Sequence, residues 1–132
     1  MFFQPLGGVK NPSELVVMAR DDPQNQFALA ISWADYEDYR DQVPGMSELA
    51  AVLLRPMHLS RPGHLPHRTW IEFVSPNYFT LAGVLPRLGR LFLPGEGVMV
   101  GADSIVVLSH QYWIDHMGGD TGVVGRTIML NG

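Results

Sequence analysis

Residues 49–74 read LAAVLLRPMHLSRPGHLPHRTWIEFV, and this stretch decides the fold class. Leu49 to Leu59 and His67 to Val74 are both strand-like, and Ser60-Arg61-Pro62-Gly63 between them supplies the turn chemistry of a β-hairpin. Successive side chains of a strand point to opposite faces. Trp70 and Glu72 are therefore expected on the face opposite Ile71 and Phe73.

Helix signals flank the hairpin on both sides. After it, Ser75-Pro76 reads as an N-cap with proline at the first helical position, and Gly83 as the C-terminal glycine of a helix of about two turns carrying Tyr78, Phe79 and Leu81. Before it, Ser32 followed three residues later by Asp35 resembles a capping box. Trp33, Tyr36 and Tyr39 or Arg40 then recur at helical spacing until Pro44-Gly45, which predicts a helix over 32–43. Further upstream, Glu14 to Arg20 is short and β-branched between Asn11-Pro12 and Asp21-Asp22-Pro23, and reads as a buried strand. Downstream, Val84 to Val100 carries Pro86, Gly89, Pro94, Gly95 and Gly97, a composition suited to a connector. Ser104 to Leu108 then reads as a buried strand, Ser109 as the cap of a helix running through Met117 and closed by Gly118-Gly119, and Val123 to Leu130 as a last strand. Asn131-Gly132 behind it is a hairpin turn whose second strand is expected to follow.

The class expected is α+β, with short capped helices packed on a mixed or antiparallel sheet. Two lobes joined by the Gly/Pro connector are expected: the first over about residues 1–83, the connector over about 84–103, and the second over about 104–132. At 132 residues the chain has the size of one domain. Its composition, 46% hydrophobic and 17% charged, is that of a packed domain rather than a disordered tail or a coiled coil.

Charge removes one function class. A formal net charge of -4 offers no basic stripe to neutralise phosphates, so no nucleic-acid partner is expected. The absence of cysteine removes disulfides and thiolate chemistry but says nothing about compartment. The longest unbroken apolar run is Leu49 to Leu54, six residues, against the about 20 of a membrane-spanning helix. Neither a membrane span nor a signal peptide is expected in these residues, although Met1-Phe2-Phe3 has the look of the stub of something longer.

No constellation assembles a catalytic or metal site. Asp35, Glu37, Asp38 and Asp41 share one helix and read as its solvated face, because calcium needs six to eight oxygens converging from a curved loop. His58, His64 and His67 could hold zinc or nickel only if the hairpin folded back on itself, and nothing completes the set. His110 and His116 are six apart, about 240° around a helix, and do not converge on one ion. The segment Asp120 to Thr127 imitates a phosphate loop at Gly125-Arg126-Thr127. It has aspartate for the first glycine and arginine for the lysine, and it leads into a strand. Ser109-His110 lies in no nucleophile elbow. The expectation is a non-enzymatic module with no catalytic, cofactor-binding or metal-binding residues and no cofactor. A competing reading is a free-standing periplasmic ligand-binding or regulatory module with an aromatic surface at Trp70, Tyr78 and Phe79.

Three stretches read together go further: ISWADYEDYRD over 31–41, VSPNYFTLAGVLPRLGRLF over 74–92, and Ile105 to Ser109 through Tyr112-Trp113 to GGDTGVVGRTIMLNG over 118–132. In this order they closely resemble the MacB-like periplasmic core domain of FtsX/MacB-type ABC transporter permeases, particularly the predicted-permease group common in acidobacteria. That resemblance implies an extracytoplasmic domain between the first and second membrane helices, with no enzymatic activity of its own. Its implied role is to relay motion from a separate cytoplasmic ATPase for export or mechanotransmission. The implied partners are the membrane helices of the same permease and that ATPase, with a permease dimer as a further possibility. The implied location is the periplasmic face of the inner membrane. The family offers no catalytic residues to carry over.

Overall fold

The computed structural model describes residues 9–16, 20–22, 25–29, 31–44, 48–97, 101 and 104–131. Their elements in chain order are β1 (Arg20–Asp22), β2 (Asn25–Leu29), α1 (Trp33–Gln42), β3 (Val52–Arg61), β4 (His64–Val74), α2 (Tyr78–Ala82), α3 (His110–Met117) and β5 (Met129–Asn131), with single 3-10 turns at Pro12–Glu14 and Thr121–Val123. β1 pairs antiparallel with β2, and a second antiparallel sheet has the order β4-β3-β5. The class is α+β, as the sequence predicts.

The hairpin is longer than its turn residues suggest. Pro62 fixes its own φ near about -65°, and Gly63 follows at φ +78°, the φ pair of a type II turn. These two residues close the connection alone, so pairing resumes at once with Arg61 opposite His64. His64, Leu65 and Pro66, expected in the turn, therefore belong to β4. Register then assigns the faces, since directly opposed residues share a side. Leu53, Met57 and Leu59 share one with Phe73, Thr69 and His67, while Leu54, Pro56 and His58 share the other with Glu72, Trp70 and Arg68. Leu59 is 2% exposed because β3 is the central strand, with His67 on one flank and Leu130 on the other. Trp70, on the opposite face, is 64% exposed.

α1 forms where expected, with the Ser32 hydroxyl accepting from the Asp35 N–H at 3.1 Å. Its acidic residues are solvent-facing, and Tyr36 on the other side is buried. α3 is bracketed as predicted by Ser109, whose Oγ accepts from the Tyr112 N–H at 3.1 Å, and by Gly118 at φ 62°. Ser109→Ala should lower stability by about 1 kcal/mol in urea denaturation. An unchanged midpoint would mean that this cap contributes nothing.

Four predicted elements change. Ser75 is not the cap of α2: the helix starts at Tyr78, behind Asn77, and the Ser75 hydroxyl is turned to the Ala51 N–H at 2.9 Å. Gly83 does end this helix, at φ 68°. At the start of the strand expected over 14–20, Glu14 instead ends the turn at Pro12–Glu14, which closes through Glu14 N–H to the Asn11 carbonyl. Residues 17–19 lie outside the described residues, and among the described residues pairing begins at Arg20. Ser104 to Leu108 is irregular, because β-propensity makes a strand only where a neighbouring strand takes up the backbone groups. The last strand shrinks from 123–130 to Met129–Asn131. Asp120 captures the Gly122 N–H at 2.8 Å and Gly125 sits at φ 83°, so local side-chain bonding and a left-handed residue break the extended run.

Candidate functional site

The chemistry-bearing side chains gather at two junctions, one at each end of the β3–β4 hairpin. At its base, Ser75 N–H donates to the Ala51 carbonyl while Ala51 N–H donates to Ser75 Oγ, which adds one more rung to the ladder. Ser75 is 2% exposed, and its hydroxyl proton goes to Asn77 Oδ1 at 2.7 Å. The Asn77 amide donates to the Leu49 carbonyl at 2.9 Å, and Tyr36 Oη reaches the same carbonyl at 3.2 Å. One serine, one asparagine and one tyrosine thus tie α1, the hairpin and the start of α2 together.

At the tip, α3 lies on the hairpin face that holds Leu59. Arg61 Nη1 is 2.8 Å from the Met117 sulfur, and Nη2 donates to the His116 carbonyl, where the helix leaves its last acceptors unpaired. His64 Nδ1 stands 3.4 Å from the same guanidinium. His67 and His116 stack with centroids 4.8 Å apart and planes 5° apart. Tyr112 stacks on His116 at 4.4 Å and places its hydroxyl 2.9 Å from His67 Nε2. Burial pushes the Tyr112 phenol above its ordinary value, and Arg61 offsets part of that shift. The phenol stays neutral at physiological pH and holds the hydrogen bond.

The expected site residues are dispersed by this arrangement. His58 lies on the opposite sheet face from His67, and His64 turns to Arg61, so the hairpin histidines do not converge. His110 meets the Trp113 ring while His116 meets His67. Among the described residues no set of three or more acidic or imidazole side chains is placed to hold a metal. The Asp120 carboxylate occupies the loop that imitates a phosphate cradle, accepting from Gly122 N–H and pairing with Arg126 at 3.1 Å. Phe79 borders an open depression of about 430 Å³ with Lys10, Thr80, Gly83, Val84, Leu85 and Leu91, and neither Trp70 nor Tyr78 lines it.

The predicted connector is tied to itself and to α2. Arg90 forks onto both oxygens of Glu96 at 2.7 and 2.9 Å, Glu96 accepts the Leu93 N–H, and Phe92 packs on Phe79 with centroids 5.5 Å apart. The Arg90 hydrogen bond, then the Leu93 N–H, holds the Glu96 carboxyl below the usual carboxylate range.

The β3–β4 hairpin is thus tied to other elements at both its base and its tip. The family model for the MacB-like periplasmic core domain matches residues 6–132. The chain belongs to this family. No curated protein and no solved structure matches it. A MacB-like periplasmic domain is an extracytoplasmic part of ABC-type permeases, which work with ATPases, and so a transporter component. Among the described residues no helix is long and apolar enough to cross a membrane.

Sequence reasoning missed that Arg61 of β3 meets α3, and Tyr112 and His116 of α3 meet the hairpin, in this MacB-like domain. Arg61 and His116 are 55 positions apart, and no local spacing announces a contact of that range. The available signal was weaker: an arginine beside a tight turn, and a histidine and a tyrosine on one helix face four residues apart.

Proposed function

We propose that this domain is a non-catalytic relay in an ABC permease, passing ATPase-driven motion to the extracytoplasmic side for export or mechanotransmission. The observation that supports this most is the bracing of one hairpin at both ends. β3 has ten residues, about 33 Å at 3.3 Å per residue, paired with β4 along one edge and with β5 at His58 to Ser60 on the other. Displacement at the Ser75 junction is carried along it to the Arg61 clamp on α3. In this reading residues about 1–83 form one lobe, about 84–103 a connector and about 104–132 a second lobe that lends β5 to the sheet of the first. The membrane helices of the same permease and a cytoplasmic ATPase are its partners, within a permease dimer. No residue of the chain carries out chemistry.

The relay is tested with Arg61→Ala in the assembled transporter, measuring transport and ATP hydrolysis together. Loosening the clamp should reduce transport several-fold while hydrolysis continues, so that the ratio of substrate moved to ATP consumed falls. Equal losses in both, or no loss in either, would overturn the relay. The isolated chain should show no saturable ATP binding by calorimetry.

A further inference from the structure

We propose that the outer edge of β4 pairs antiparallel with β4 of a second copy of this chain, centred on Trp70, so that their two sheets join into one. The inference names the surface on which paired copies of the proposed permease domain meet, and it takes its setting from that reading. β4 has 11 residues and is an edge strand, since the sheet order is β4-β3-β5. A long edge strand presents a row of unpaired N–H and C=O groups, which is a template for another strand. Two observations fix which groups face outward. Ser75 N–H donates to the carbonyl of Ala51, the residue that continues the register opposite it. Opposed residues that exchange such bonds alternate along an antiparallel pair with opposed residues that do not. Phe73, Ile71 and Thr69 therefore bond to β3, while Glu72, Trp70 and Arg68 turn their N–H and C=O groups away from it. Pro56 agrees, because it has no N–H and stands opposite Trp70, in a pair that exchanges no bond. Among the described residues no strand or loop takes up the outward groups of Arg68, Trp70 and Glu72.

Charge complementarity selects the occupant and the register. Arg68, Trp70 and Glu72 share one face of the sheet and are all exposed. Arg68 and Glu72 lie two residues to either side of Trp70, carry opposite charges, and belong to none of the described ion pairs. Along the strand they are about 13 Å apart at about 3.3 Å per residue, too far to pair with one another. A two-fold rotation centred on Trp70 sets Arg68 beside the partner's Glu72 and Glu72 beside the partner's Arg68, with the two Trp70 rings adjacent. Each of these rungs exchanges two N–H···O bonds. Other registers fail. Rotation about Arg68 or about Glu72 sets like charges directly opposite, which is destabilising. Rotation about Thr69 or Ile71 leaves both charges opposite uncharged residues. Pro66, whose missing N–H falls on the outer side, ends the pairing toward the hairpin tip. An edge protected by charge of one sign repels a copy in every register, whereas this one carries both signs at equal distance from its centre and attracts a copy in one.

The test combines sedimentation equilibrium with hydrogen exchange on the 132-residue chain. The unmodified chain should dimerise reversibly, and its Trp70 amide should exchange more slowly as the dimer forms. Arg68→Glu and Glu72→Arg should each weaken association about tenfold or more, because like charges then meet at both contacts. An equimolar mixture of these two variants should associate nearly as tightly as the unmodified chain, since every charge in the mixed pair faces its opposite. The double variant Arg68→Glu with Glu72→Arg should associate likewise. A chain that stays monomeric at millimolar concentration would overturn the proposal. Association indifferent to the single reversals, or a mixture no tighter than either variant alone, would overturn it too and place the contact on another surface. If a variant fails to fold, the Trp70 amide of the unmodified chain decides, and exchange independent of concentration counts against the pairing. Failure here leaves the Arg61→Ala test of the relay untouched.

Discussion

Leu59→Ala is expected to be the most damaging single truncation among the described residues, with a loss of about 2–3 kcal/mol in urea-induced unfolding. Leu59 sits on the central strand between His67 and Leu130 and is 2% exposed. Burying a leucine and then removing it costs its transfer free energy plus a cavity term, about 2–5 kcal/mol in well-packed cores. The lower part of that range applies here because the neighbours of Leu59 are themselves half-exposed, so the site can collapse or admit water. Leu54 supplies the contrast. It lies five residues earlier on the same strand but on the other face, 52% exposed, and Leu54→Ala should cost less than about 1 kcal/mol. Equal losses at the two positions would mean that the assigned faces of the hairpin are wrong.

Ser75→Ala should cost about 2 kcal/mol, more than the same change at Ser109, although both serines read alike in sequence. At Ser109 the bond replaced is a solvent-accessible cap, and water can substitute. At Ser75 the hydroxyl is buried, accepts from Ala51 N–H at 2.9 Å and donates to Asn77 Oδ1 at 2.7 Å. Its removal leaves the Ala51 donor without the Oγ acceptor, and an unsatisfied buried donor costs about 1–3 kcal/mol. Two readouts follow. The Ala51 amide should exchange with solvent markedly faster in Ser75→Ala. A double-mutant cycle with Asn77→Ala should be clearly non-additive, because both side chains belong to one network. Strict additivity with an unaltered Ala51 amide would show that the junction contributes no coupling between α1, the hairpin and α2.

Legibility in the sequence followed the range of the interaction. The Ser32 and Ser109 caps, the Gly83 and Gly118 terminators and the Pro62-Gly63 turn were all readable, because each is decided within four residues by the stereochemistry of one side chain or one φ angle. The hairpin and its facing pattern were readable for the same reason, alternation being a property of the strand itself. Residues 104–108 misled, since their apolar character is strand-like while strand formation depends on partners that sequence does not display, and over 123–128 the Asp120 bond and the left-handed Gly125 break a run that reads as extended. The family was legible only from three stretches in register, each too short to specify it alone.

Sequence by itself determined the class, the two helices with serine caps and the hairpin. Tertiary structure decided what the polar residues do. Ser75 reads as a helix cap and becomes a strand rung because Ala51, 24 residues away, presents a backbone donor that a buried hydroxyl must satisfy. His67 reads as the first residue of a strand and becomes half of a stack because its place opposite Leu59 sets it on the face that α3 covers. Local stereochemistry is written in neighbouring residues, whereas the partner of a buried polar group is set by which distant backbone or ring the fold brings within hydrogen-bonding reach.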